Sequence, residues 1–166
     1  MSRSTKKAPG APAMPAAGEC ISMRRLCLSL NLRRTERIVT RHYDEYLAAA
    51  GLTAAQFPIL AVIATLETPT FRLLAEELDL ERSTLSRNLA LLERKGLVEI
   101  EPSSGRRAGR LSLTPTGRTA LRRAYDRWRE AHEALAKLLS ADAITEGLQF
   151  LKTLRRQVRD ASSPSS

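Results

Sequence analysis

The length, composition and charge of the chain limit its fold and its partners. With 166 residues, 43% of them hydrophobic, it can form one domain with a core or a small head joined to a separate helical part. Lysine and arginine number 27 against 18 acidic residues, so the formal charge is +9 and nucleic acid is the first expected partner. One Trp, three Tyr and three Phe give few rings for stacking on unpaired bases, which favours duplex DNA over RNA.

Targeting and metal signals are weak along the whole sequence. No stretch approaches the roughly 18 apolar residues of a membrane helix, and the N-terminus lacks an apolar signal core, so we expect a cytoplasmic protein with no membrane partner. Cys20 and Cys27 are too few for a disulfide scaffold, and two histidines do not complete a zinc cluster. We therefore expect reduced thiols, no metal site and no cofactor.

The first part of the chain is predicted to be a tail followed by helices. Residues 1–18 are mostly Ala, Pro, Gly, Ser and Lys without an apolar period, which is typical of a disordered tail. Apolar residues recur at helical spacing over residues 19–50, which predicts one long helix closed by Gly51. Thr53-Ala54-Ala55-Gln56 matches the capping-box pattern and opens a buried second helix through Ile63.

The middle of the chain is predicted to be two short helices and a hairpin. Thr70 can cap a helix over 71–78, and a further helix follows the break at 79–81 and ends at Gly96. Residues 97–101 and 110–113 alternate apolar and polar residues, which predicts two strands joined by a flexible basic tip.

Two long helices complete the predicted fold. Thr114-Pro115 is a capping residue followed by a proline suited to the first helical position, and Ser140 can cap a last helix. Residues 160–166 are predicted to be a second disordered tail. The expected fold class is mainly α with a small β-hairpin wing.

The strongest functional signal is the spacing of Ala75, Asp79 and Leu85, which matches a helix-turn-helix. Glycine is commoner at the turn, but aspartate is among the few residues that tolerate a left-handed backbone. The start of the second helix would enter the major groove, where its polar side chains are ligands for bases and phosphates. The candidate DNA-binding residues of this helix are Arg82, Ser83, Thr84, Ser86, Arg87 and Asn88.

Taken alone, two helices with a polar outer face are more often a solvated helical pair than a DNA reader. The basic hairpin that follows favours DNA binding, because arginines on a wing can reach phosphates or a narrow minor groove. The candidate wing residues are Arg106, Arg107 and Arg110.

Several sequence blocks, in order, resemble the MarR family of regulators. They are Leu52-Thr53-Ala54-Ala55-Gln56-Phe57, Leu74-Ala75-Glu76-Glu77-Leu78, Ser83-Thr84-Leu85-Ser86-Arg87, Leu92-Glu93-Arg94-Lys95-Gly96-Leu97-Val98 and Leu111-Ser112-Leu113-Thr114. The family's wing usually carries Asp-Arg-Arg, whereas this chain has Gly105-Arg106-Arg107, so the carboxylate that orients an arginine is missing.

The resemblance implies a winged helix-turn-helix over 52–114 and a helical dimerisation region made of 19–50 and 115–159. Two copies would then form a homodimer that binds a near-palindromic operator, acts as a repressor and is released by a small ligand. The apolar stripes of the long helices agree with this, since they exceed what a small winged head could cover.

Two kinds of signal could release such a regulator, and the sequence leaves both open. The resemblance implies either a small aromatic or phenolic effector or peroxide acting on a cysteine near the first helix. His42, beside two tyrosines, could contact an effector, although a histidine held for packing is commoner. Cys20 and Cys27 lie near Arg24 and Arg25, which favour a thiolate, although buried unreactive cysteine is the commoner case. On one helix the two thiols would be about 10 Å apart, too far for a mutual disulfide.

Other classes of function fit less well. An enzyme would need a nucleophile with a base, and only Cys20 or Cys27 with His42 could form such a pair, so no enzymatic activity is expected. A non-specific architectural DNA-binding protein, or a winged helix kept for protein contacts, would show the same charge and fold.

Overall fold

The computed structural model describes residues 14–102 and 109–162. It divides into two compact units, one of residues up to Ile38 and one of residues from Val39 onward. Residues 1–13 and 163–166, in the predicted tails, lie outside the described parts. Ala17 and Gly18, also assigned to the first tail, are helical, and the last helix continues to Ser162.

The predicted long first helix is wrong in one respect, because it is broken at Cys27. Helix α1 spans Ala17–Leu26 and helix α2 spans Leu28–Leu47, while Cys27 has an extended backbone with ψ of 104°. The Asn31 side-chain amide donates to the carbonyls of Arg25 (3.2 Å) and Cys27 (2.9 Å). Such side-chain bonds compete with the helical ladder and satisfy acceptors that the break exposes.

After α2 the chain makes a turn that leads to the buried helix. A short 3-10 turn over Ala48–Ala50 ends at Gly51, the predicted end of this helical segment, whose φ of 74° is left-handed. Helix α3 spans Phe57–Leu66, later than the capping-box prediction. The Thr53 hydroxyl accepts from the Gln56 amide (3.3 Å), but the Gln56 side chain accepts from Lys95 (3.4 Å), so the reciprocal bond of the box is replaced by a tertiary contact.

The predicted middle elements agree with the structure. Helix α4 spans Phe71–Leu78 and helix α5 spans Arg82–Arg94. The Thr70 hydroxyl caps α4 by accepting from the Leu73 amide at 3.3 Å. Strands β1 (Val98–Glu101) and β2 (Arg110–Leu113) pair antiparallel, with Val98 opposite Leu113 and Glu101 opposite Arg110.

One hydrophobic core holds these elements together. Its fully buried members include Ile59 and Leu60 of α3, Leu74 of α4, and Leu85 and Leu92 of α5. Each such side chain contributes about 1.5–3 kcal/mol through removal of apolar area from water. The two short helices therefore have a fixed relation to the hairpin and to α3.

The last two helices are α6 (Pro115–Leu139) and α7 (Ala141–Ser162). The Thr114 hydroxyl accepts from the Gly117 amide (2.9 Å) and donates to the Gly96 carbonyl (2.6 Å), which fixes the start of α6 beside β1. Gly117 is buried there against the backbone of Leu97. Among the helices in the described ranges, none is long and apolar enough to cross a membrane.

Candidate nucleic-acid interface

The turn between α4 and α5 has the predicted geometry. Asp79 is left-handed, with φ of 52° and ψ of 43°. The amide of Leu80 donates to the Ala75 carbonyl (3.0 Å) and the amide of Asp79 donates to the Glu76 carbonyl (3.3 Å). These are the two bonds of a Schellman motif, which ends α4 sharply and lets α5 begin three residues later. The prediction that aspartate occupies the left-handed position is confirmed.

One face of α5 is buried and the opposite face is open. Leu85, Leu89 and Leu92 are buried, and their spacing of four and three residues places them on one side of the helix. At about 3.6 residues per turn, Ser83 and Arg87 lie on the opposite side, and both are exposed. The Arg87 Nε donates to the Ser83 carbonyl (3.2 Å), so one edge of the guanidinium is held against the helix.

The remaining predicted residues of α5 lie on its flanks. Thr84 and Asn88 are half-buried and line a small cavity of about 210 Å³, and Asn88 donates to the Thr84 carbonyl (3.0 Å). The other residues that line this cavity are Ala54, Ala55, Pro58, Leu78 and Leu80. Arg82 and Ser86 are exposed on the other flank, where the Arg82 guanidinium lies 5.4 Å from the centre of the Phe71 ring. Thr84 and Asn88 are therefore less accessible than the sequence suggested.

The base of the wing is tied to the segment before α4. Arg110 donates to the Thr68 hydroxyl (2.8 Å), and the Leu111 amide donates to the Pro69 carbonyl (3.0 Å). Arg106 and Arg107, the other predicted wing residues, lie outside the described residues, as does Gly105. A cleft of about 780 Å³ separates the base of the hairpin from α4 and the start of α5.

Two exposed arginines near this face were missed by the sequence reasoning. Arg94 follows Arg87 by seven residues and so continues the outer face of α5, a relation that helical spacing could have revealed. Arg72, in the first turn of α4, lines the cleft beside Arg82, and its side chain is 87% exposed. Its 3.6 Å pair with Glu76 is a surface pair, worth about 0–1 kcal/mol, and does not prevent another contact.

His42, the predicted effector residue, makes a packing contact. Its Nε2 lies 2.8 Å from the Ala131 carbonyl, and since a carbonyl only accepts, this nitrogen carries the proton. His132, which sequence reasoning missed, stacks on Trp128 at 5.3 Å, and its Nδ1 lies 3.3 Å from the Tyr43 hydroxyl. Burial raises the pKa of the Tyr43 phenol above its ordinary value of 10.0. The two histidines thus connect α2 to α6.

The two predicted redox residues are both half-buried free thiols. Cys20 lies within α1, and Cys27 lies at the break that precedes α2. The Cys27 sulfur accepts from the Leu30 amide at 3.5 Å, in the manner of a capping side chain. Because the break separates them, the straight-helix estimate of their separation no longer applies.

Comparison with known proteins gives one family. The sequence model described as the MarR family matches residues 50–108. The Mycobacterium tuberculosis transcriptional regulator MosR in complex with DNA is 32% identical, with 80% of this chain and 98% of that chain covered and a TM-score of 0.69. Among curated proteins, none matches significantly.

Two further solved structures are similar. A cysteine-to-serine mutant of Escherichia coli MarR complexed with operator DNA is 27% identical, covers 85% of this chain and 99% of its own, and has a TM-score of 0.69. The transcriptional repressor CouR bound to p-coumaroyl-CoA is 26% identical, covers 85% and 97% respectively, and has a TM-score of 0.70. The winged helix fold predicted from the sequence is confirmed.

Proposed function

Since the chain belongs to the MarR family of transcriptional regulators, we propose that it is a repressor that binds a near-palindromic operator as a homodimer and is released by a small ligand. The observation that carries this proposal is the outer face of α5. Ser83 and Arg87 are presented outward by a helix whose opposite face is locked by buried leucines. A helix held in this way can enter a major groove without losing core contacts.

We assign base recognition to the outer face of α5 and phosphate binding to the exposed arginines of α5 and of the wing. The free edge of the Arg87 guanidinium suits the paired acceptors of guanine. Two further arginines of α5, Arg82 and Arg94, are exposed, and so is Arg110 at the base of the wing. Their guanidinium groups suit phosphates, and phosphate contacts position a protein on DNA without recognising its sequence. Ser86 adds a hydroxyl to this surface, while Thr84 and Asn88 contribute from the half-buried flank of α5.

Binding to random duplex libraries tests sequence reading. We expect selection to enrich a near-palindrome whose half-sites lie about 10 base pairs apart, because a two-fold dimer presents two copies of α5. Affinity should fall steeply with salt, with a slope of about 0.9 per phosphate contacted. Binding without any enriched palindrome would favour the non-specific architectural protein instead.

Two arginine variants distinguish recognition of the base sequence from binding of the phosphate backbone. Arg87→Ala should cost about 1–3 kcal/mol on the selected operator and relax preference at the contacted base pair. Arg106→Ala should weaken binding to selected and scrambled duplexes alike, because a wing arginine is proposed to contact the backbone. Equal losses on both duplexes for both variants would refute this division.

The homodimer is supported by apolar side chains that the single chain leaves in water. On α6 and α7, Leu138 is 77% exposed and Leu148 is 60% exposed, with Leu139, Phe150 and Val158 also exposed. Large exposed apolar surfaces are rare on monomers and mark interfaces. A second copy of this chain is the proposed occupant, as a two-fold interface is self-complementary.

Sedimentation equilibrium tests the dimer. Leu148→Glu should shift the protein toward the monomer, because it places a charge on the apolar stripe of α7. Gln149→Glu adds the same charge one residue away and is the matched control. A wild-type monomer, or equal dissociation of both variants, would contradict the proposed interface.

An aromatic effector is the proposed release signal. Four rings form a continuous group at the junction of α2, α3 and α6: those of Phe57, Trp128, His132 and Tyr43. Aromatic side chains grouped in this way suit a flat apolar ligand. CouR, one of the similar proteins, is bound to an aromatic acyl thioester, p-coumaroyl-CoA. Trp128 is the single tryptophan of the chain, so its fluorescence reports binding directly.

Peroxide is the second candidate signal, and one observation favours it. The Cys27 sulfur accepts from the Leu30 amide at the start of α2, so oxidation of this thiol would alter a contact that caps the helix. Operator binding should be compared after a panel of aromatic acids and after peroxide, in wild type and in Cys20→Ser and Cys27→Ser variants. Release by peroxide that either substitution abolishes would replace the aromatic effector.

A further inference from the structure

A concave pocket lies at the corner between α1 and α2, within the first compact unit. Its volume is about 440 Å³, and Ile21, Arg24, Arg25, Asn31 and Arg34 line it. Arg24 and Arg25 come from the last turn of α1, while Asn31 and Arg34 come from the first two turns of α2. The break at Cys27 creates the corner, so a straight helix would have no such pocket.

The charge of this pocket is uncompensated. Arg24, Arg25 and Arg34 are exposed, and none forms an ion pair within the described part of the chain. The one carboxylate of α1, that of Glu19, is bound to the amide of Ala16 at 2.7 Å. Three guanidinium groups around one concavity focus a positive potential on its centre.

Asn31 fixes the shape of the pocket without neutralising it. Its amide nitrogen donates to the carbonyls of Arg25 and Cys27 on the other side of the corner. This clamp holds the end of α1 against the start of α2, so the arginines converge on the pocket before any ligand arrives. Such preorganisation lowers the entropy cost of binding.

We propose that this pocket binds a phosphate group, held by Arg24, Arg25 and Arg34. One carboxylate would neutralise one guanidinium, whereas a phosphate with two charges and several acceptor oxygens can engage two or three of them. The volume exceeds that of the phosphate itself, and Ile21 offers an apolar wall to the group that carries it. The phosphate belongs either to a small metabolite or to a DNA backbone, which share this chemistry.

Titration of the full-length protein with inorganic pyrophosphate tests the pocket directly. We expect saturable binding by isothermal titration calorimetry, with one site per chain. The double variant Arg25→Gln with Arg34→Gln should weaken this binding at least tenfold, since glutamine keeps the helix propensity and removes the charge. The matched control, Arg33→Gln with Arg37→Gln, removes the same charge from residues that do not line the pocket and should change affinity less than twofold.

The salt dependence of DNA binding distinguishes the two sources of phosphate. If the pocket contacts DNA, the double variant should lower the slope of log K against log salt by about 0.9 for each phosphate lost. If it binds a free phosphate compound, the slope should stay unchanged while pyrophosphate binding is lost. Absence of saturable pyrophosphate binding together with an unchanged slope overturns the proposal, as do equal losses in the control. Pyrophosphate binding is measured without DNA, so the result stands apart from operator recognition.

Discussion

Substitution of Gly117 by alanine should show how tightly α6 is seated on the base of the wing. A Cβ built at this position would overlap the Leu97 carbonyl oxygen and lie 2.9 Å from the Leu97 carbonyl carbon. Because carbon atoms pack at about 3.5–4.0 Å, α6 or β1 has to move, and backbone cannot step aside as a flexible side chain would. The strain of such overpacking is about 3 kcal/mol, and the helix propensity of alanine returns about 1 kcal/mol. The net loss of unfolding free energy should be about 2 kcal/mol.

The assay is urea unfolding of wild type, Gly117→Ala and a matched glycine variant. Gly147→Ala in α7 is that control, because nothing lies within 4 Å of its added Cβ. It should raise the free energy of unfolding by up to about 1 kcal/mol through helix propensity alone. By thermal unfolding the two variants should move Tm by about 4–8 °C downward and about 2–4 °C upward. If Gly117→Ala were as stable as Gly147→Ala, the close approach of α6 to Leu97 would be refuted.

Three further predictions concern stability. Leu85→Ala should lower the free energy of unfolding in urea by about 2–5 kcal/mol, since Leu85 is fully buried, and a loss below about 1 kcal/mol would contradict its anchoring role. Asp79 and Arg159 form a 3.0 Å ion pair in which both side chains are more than half exposed. A double-mutant cycle with Asp79→Asn and Arg159→Gln should give a coupling free energy of about 0.2–1 kcal/mol for unfolding in urea. Strictly additive effects of the two substitutions would show that the pair does not stabilise the fold. Because the pKa of Tyr43 is raised in the folded protein, this phenol ionises at a lower pH in the unfolded chain than in the native state. The contribution of Tyr43 to the free energy of unfolding should therefore be fully present below about pH 10 and be lost as the pH rises above it. In Tyr43→Phe, the urea unfolding midpoint should change less between about pH 8 and pH 11 than in wild type.

The helix-turn-helix could be predicted closely from the sequence because local signals mark its ends. Thr70 caps α4, Asp79 takes the left-handed turn and Gly96 follows α5, so each boundary depends on residues near it in the chain. The buried face of α5 also follows from the spacing of its leucines. Fold and family could therefore be inferred from short blocks alone.

Other features depend on contacts that periodicity does not contain. At the break at Cys27, the Asn31 side chain donates to the carbonyls of Arg25 and Cys27, contacts that helical spacing alone does not reveal. The sequence predicts that Asn88 contacts a base, but in the structure it is half-buried beside residues 54–58 and the end of α4. His132 lies 89 residues from its partner Tyr43, a separation that no local pattern reveals. Tertiary packing decides each of these cases.

Lys95 fixes the C-terminal end of α5. Its ammonium group, just past the end of α5, donates to the Gly51 carbonyl (2.8 Å) and to the Gln56 side chain (3.4 Å). This end of the helix is therefore bound to residues 51–56, which connect α2 to α3. The 13 residues of α5 make a lever arm of about 20 Å. A tilt of about 10° around the bound end would displace the first turn of α5 by about 3.5 Å, which is a larger displacement than a hydrogen bond tolerates. Small changes in the course of residues 51–56 would thus be amplified where the helix meets a base pair.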